Sequence, residues 1–265
     1  MRRWLSILVG LAALLTAPAA LAETPKSAFN DWTAIVVAGD WRAHSGGPTE
    51  AFDNARRDVA ATLQTMGFRP ENVFQFSTKP DQYPDTAPQR TTPPAMAQAL
   101  IGGAAKTKGG CLIYYTSHGG PPGVVLDVGG RMYVFKPEHM ARLVDTACPD
   151  RPSIVIISAC FSGVFIPELE NDQRLVLTAA RDDRSSFGCS ESDRYPFFDD
   201  CFLQSVETSR SFAVLGPQIQ GCVARKETAL GLSPPSEPQV WTGGKLRPAL
   251  PLMPFPKGAK GVRSP

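Results

Sequence analysis

Three short, unbroken apolar runs constrain this chain more than any other feature of it. Thr33-Ala-Ile-Val-Val-Ala38, Cys111-Leu-Ile-Tyr-Tyr-Thr116 and Ser153-Ile-Val-Ile-Ile-Ser158 are each six residues long and rich in β-branched or aromatic side chains. A strand wet on one face alternates polar and apolar residues; these runs do not alternate, so both of their faces must be covered. Segments 72–76 and 174–179 read as two further short strands. Between the runs lie stretches with helical spacing. Residues 50–66 carry Ala51, Phe52, Ala55, Val59, Leu63 and Met66 on one face and stop at Gly67. Further helices are expected at 94–105, 137–146 (opened by Pro137), 198–208 and 212–230. Buried strands joined by helical crossovers define an α/β fold, a three-layer α/β/α sandwich around a mostly parallel sheet. A small hairpin is expected at 124–126 and 132–135 around Gly129-Gly130. Residues 77–94 hold five prolines and predict a long loop, and the Pro, Gly and Lys from Ser233 onward predict a tail of low order.

The N-terminus reads separately. Met1-Arg-Arg3, the apolar run Trp4–Leu15 and a small-residue segment ending Ala20-Leu-Ala22 have the layout of a secretory signal peptide. The apolar run is shorter than the roughly 20 residues a membrane span needs. Expected domains are thus a signal peptide at 1–22, one catalytic-sized domain at 23–232 and the tail at 233–265, in a protein exported to the periplasm or beyond and without a membrane span after cleavage. The 27 Lys+Arg against 25 Asp+Glu leave a net charge of only +2, which gives no basic footprint for nucleic acid. Nothing in the pattern sets the oligomeric state.

Export places the six cysteines where disulfides are allowed. There is no C-x-x-C pair, and the three histidines, His44, His118 and His139, form no H-E-x-x-H. Spacing therefore predicts no metal site. Gly102-Gly-Ala-Ala-Lys-Thr107 lacks phosphate-loop spacing and follows a helix, so no cofactor is expected either.

Two of the long runs end on reactive residues. The run at 111–116 leads into Ser117-His118-Gly119-Gly120, and that at 153–158 into Ala159-Cys160-Phe161-Ser162-Gly163. Ligands of open α/β sheets bind beyond the carboxyl ends of the strands. If the two strands are neighbours, His118 and Cys160 emerge side by side as a nucleophile with its general base. A thiol titrates near pH 8.5 and needs such a base or a positive neighbour to be activated. Gly119 exposes an N–H beside the base, a donor for the oxyanion of an acyl-transfer intermediate.

Ser-His-Gly-Gly at 117–120, Ile-Ile-Ser-Ala-Cys-Phe-Ser-Gly at 156–163 and Thr-Ala-Ala-Arg-Asp-Asp-Arg-Ser-Ser-Phe-Gly-Cys at 178–189 resemble the three signature blocks of the legumain-like cysteine peptidases, family C13. The resemblance covers roughly residues 33–210. It implies a caspase–hemoglobinase fold, a peptide or protein substrate cleaved after Asn and less readily Asp, and His118 and Cys160 as catalytic dyad with Gly119 as oxyanion donor. It also implies a substrate pocket from Arg42, His44, Ser158, Ser185 and Asp200. Two positions depart from the family pattern: Ser158 stands where a pocket Glu is usual, and Ser117 where an Asp precedes the histidine. A peptide ligase or transamidase would share the same dyad, and a non-catalytic envelope binding module could use the same scaffold. Cys111 and Cys148 precede neighbouring strands at the edge opposite the dyad and are expected to pair; Cys189 and Cys201 are the second expected pair.

Overall fold

The computed structural model describes residues 27–264, so the expected signal peptide lies outside the described residues. In chain order the strands are β1 (Thr33–Ala38), β2 (Val73–Ser77), β3 (Gln89–Arg90), β4 (Cys111–Thr116), β5 (Gly119–Gly120), β6 (Gly123–Val128), β7 (Arg131–Phe135), β8 (Ser153–Ser158), β9 (Arg174–Thr178) and β10 (Gln239–Thr242). The α-helices are α1 (Ala51–Thr65), α2 (Pro93–Ala104), α3 (Pro137–Ala147), α4 (Ile166–Leu169), α5 (Phe197–Val206) and α6 (Phe212–Ala229).

The main sheet has seven strands in the order β10-β9-β8-β4-β1-β2-β3. All neighbours are parallel except β10, which runs antiparallel to β9. The unbroken apolar runs become its centre, and their side chains alternate between two cores. Ala34, Val36, Leu112, Tyr114, Ile154 and Ile156 face the core shared with α1, α5 and α6. Ile35, Val37, Ile113, Tyr115, Val155 and Ile157 face the core shared with α2 and α3. Burial on both faces is the physical reason that these strands carry no polar alternation. The hairpin of β6 and β7 joins β5, which directly follows His118, in a separate three-stranded sheet.

The C-terminal segment is ordered, contrary to the expectation of a loose tail. It supplies β10, which caps the edge that β9 would otherwise expose. Leu246, Leu250 and Phe255 then enter the α5/α6 core, and Val262 donates its N–H to Thr62 Oγ1 at 2.8 Å. Prolines prevent a helix here but do not prevent docking. The proline-rich 77–94 segment likewise contributes β3, paired with β2 at Phe76 and Ser77.

Two disulfides brace the layers. Cys111 at the start of β4 bonds Cys148 after α3, with Cα atoms 6.1 Å apart. The expected Cys189–Cys201 bond is not made. Cys201 on α5 instead bonds Cys222 on α6, with Cα atoms 5.6 Å apart, because these helices pack face to face. Cys160 and Cys189 are free thiols.

Candidate active site

β1 has β2 on one side and β4 on the other. Connections after β1 and β4 therefore depart in opposite directions and leave a crevice at the carboxyl edge. β4 and β8 are parallel neighbours in a register that pairs Thr116 with Ser158. His118 and Cys160 each lie two residues past that last pair. The Ser117 N–H donates to the Ser158 carbonyl at 3.1 Å, so the strands stay joined up to the reactive residues.

His118 is held on two sides. Its Nε2 lies 2.8 Å from the carbonyl oxygen of Arg42; a carbonyl only accepts, so Nε2 donates here, and in the neutral ring the lone pair is on Nδ1. The ring of Phe52, in the first turn of α1, meets the imidazole edge to face with centroids 5.0 Å apart. Phe52 reads in sequence only as a core position of α1, and its contact with the imidazole depends on the docking of the helix.

Cys160 is half-buried, and its Sγ receives the backbone N–H of Ser186 at 3.2 Å. That donor faces the position where a thiolate carries its charge. The following residue, Phe161, is left-handed at φ 57°, which turns the chain sharply after Cys160. Its N–H donates to the Arg184 carbonyl at 2.7 Å and ties the turn to the 178–189 block. Gly119 is required sterically: a Cβ there would stand 2.1 Å from the Cys160 carbonyl oxygen.

The other expected pocket residues divide. Arg42 is at the site through its carbonyl, and its guanidinium is engaged by Asp127 at 2.7 Å and Asp40 at 3.1 Å. His44 is exposed, and its ring centroid is 5.8 Å from that of His118. Ser185 is exposed, while its neighbour Ser186 is the residue that touches the sulfur, by Oγ as well as N–H. Ser158 is buried and its hydroxyl donates to Asp199 at 2.5 Å. Asp200, the expected pocket acid, is bonded instead by Lys226, Arg263 and Gln204. The acid beneath the strand ends is Asp199, which also accepts from Tyr114 at 2.6 Å and Thr116 at 3.1 Å. Complete burial raises its pKa to about 7, with the three hydroxyl donors opposing the shift. The Asp199-Asp200 doublet was the available signal, but on a helix consecutive side chains point about 100° apart and only one can face the sheet.

Cys189 is also at this rim. Burial, then the neighbouring Cys160 and Asp193, pushes its thiol up to about 12. A large apolar cavity of about 600 Å³ lies elsewhere, between α2, α3 and the β6–β7 hairpin, and is lined by neither dyad residue.

The model of the Peptidase C13 family matches residues 104–213. No curated protein matches the chain. Among solved structures, a crystal structure of caspase-1 from Spodoptera frugiperda is similar with a TM-score of 0.55 at 15% identity, over 82% of this chain and 88% of that one. At this identity the likeness is one of fold. The family segment runs from the end of α2 into α6 and contains His118, Cys160 and the 178–189 block. Over this segment the chain is similar to the Peptidase C13 family, and the whole is built on a caspase-like α/β fold.

Proposed function

We propose that the protein is an exported cysteine endopeptidase that cleaves peptide bonds through an acyl-enzyme on Cys160, with His118 as general base and acid. The observation that carries this reading is the β4–β8 register, which sets a free thiol and an imidazole with an open lone pair at equal distances past Thr116 and Ser158. In the proposed cycle Nδ1 of His118 takes the Cys160 proton and the thiolate adds to the peptide carbonyl. The N–H groups of Gly119 and Cys160 bind the oxyanion, and His118 returns the proton to the departing amine. Water, deprotonated by the same imidazole, then releases the acyl group.

A preference for Asn or Asp before the cut is supported by the exposed imidazole of His44 beside His118, while the Arg42 guanidinium is taken up by Asp127 and Asp40. Ser158 adds no charge to that pocket, since its hydroxyl is spent on Asp199. Export is supported by the layout of residues 1–22 and by two disulfides, which persist in oxidising compartments. The test is a peptide-library cleavage profile of the wild type and Cys160→Ala. Cleavage confined to the wild type and enriched after Asn or Asp is expected; equal cleavage by both proteins would remove the dyad assignment.

A further inference from the structure

The rim of the sheet brings together a second constellation, one that spacing in the sequence gives no hint of. His44 follows β1, His118 follows β4 and Cys189 follows β9, and one ligand atom from each lies within 4.8 Å of those of the other two. The loops are fastened to one another: the His44 N–H donates to the Cys189 carbonyl at 3.3 Å. Two imidazoles and one thiolate form a donor set suited to zinc and similar borderline-soft cations. With Zn–N about 2.0–2.1 Å and Zn–S about 2.3 Å, ligand atoms of a tetrahedral site stand about 3.4–3.6 Å apart. Closure thus needs loop shifts on the order of an ångström. The hydrogen bond from His118 Nε2 to the Arg42 carbonyl, at 2.8 Å, is the outer-shell arrangement that fixes an imidazole with its other nitrogen free for a metal. His44, exposed to solvent, gives an entry path.

We propose that His44, His118 and Cys189 bind one Zn²⁺ ion, leaving the fourth position open to water, and that the bound ion silences the peptidase by occupying the imidazole that Cys160 requires. Formation of the Zn–S bond releases the Cys189 proton to solvent, and nothing is oxidised or reduced. Binding stands independently of catalysis; only the silencing rests on the peptidase reading.

The full chain is titrated with Zn²⁺ against a chromophoric chelator and, separately, with Co²⁺, whose thiolate charge-transfer absorption reports a sulfur ligand. One ion per chain is expected, with the absorption present in the wild type and in Cys160→Ala and absent in Cys189→Ser. His44→Ala, a change at an exposed residue, weakens binding at least tenfold and serves as the test should Cys189→Ser not fold. Zinc should abolish peptide cleavage by the wild type, and chelation should restore it. Undiminished binding in both His44→Ala and Cys189→Ser overturns the site, as does absorption lost in Cys160→Ala but kept in Cys189→Ser. A wild type that binds zinc as described yet cleaves no peptide supports the site and removes only the peptidase reading.

Discussion

The hydroxyl of Ser158, two residues before Cys160, donates to the buried carboxyl of Asp199 at 2.5 Å. An ionisable group thus sits directly beneath the carboxyl edge of the sheet, held by three hydroxyls and, among the described residues, by no cation.

Asp199 makes stability fall as pH rises. Its ordinary value is 3.8 and its folded value about 7. Between these the folded state holds a proton that the unfolded state has lost, so folding is favoured below pH 4 and progressively less up to pH 7. Asp199→Asn has no such proton. Relative to the wild type it should gain roughly 3–5 kcal/mol between pH 4 and 7, and then level off. Urea unfolding of both proteins at a series of pH values measures this; parallel curves would show that Asp199 is not the titrating group.

Gly119→Ala should separate folding from catalysis. The added methyl meets the Cys160 carbonyl at 2.1 Å and pushes the two strand ends apart. A displacement of about 1 Å at reacting groups costs on the order of 10²-fold in rate. kcat/KM should fall at least that much while far-UV circular dichroism stays native; a loss of less than threefold would mean that His118 and Cys160 do not need this close approach.

Thiol counting checks the cysteine assignment. The native, unreduced protein should present two free thiols. Iodoacetamide near neutral pH should modify Cys160 well before Cys189, whose thiol is held protonated by burial. Removing the Cys201–Cys222 bond, which closes a loop of 21 residues, should cost about 3 kcal/mol. Mass mapping that finds Cys189 joined to Cys201 would contradict this pairing.

Arg56 is the buried charge on which the α1 layer depends. Its Nε bonds Asp53 at 2.7 Å, its Nη1 bonds Gln75 at 2.6 Å, and its guanidinium lies 5.1 Å from the centre of the Tyr83 ring. Arg56→Ala should cost about 3–5 kcal/mol, because it strands the Asp53 carboxylate. The double change with Asp53→Ala should recover part of the loss. Denaturant midpoints of the two single variants and the double variant test the coupling; strict additivity would rule it out.

Local pattern alone determined the central strands, most of the helices that cover them and the edge at which His118 and Cys160 emerge. Unbroken apolar runs in a chain with helical crossovers have few ways to be buried other than a covered parallel sheet, and the positions of His118 and Cys160 after such runs place them at its carboxyl edge. The Cys111–Cys148 bond could be anticipated in the same way, from two positions ahead of strands. Tertiary structure decided the rest. Whether Asp199 or Asp200 faces the sheet depends on the rotation of α5, and which cysteine meets Cys201 depends on how α5 packs on α6. The docking of the C-terminal segment beside β9 depends on an edge that local composition does not reveal. The meeting of His44, His118 and Cys189 is of the same kind: three loops far apart in the chain converge because β1, β4 and β9 end on one rim. Short-range periodicity reports which faces are buried, but contacts between distant segments arise only when those faces pack.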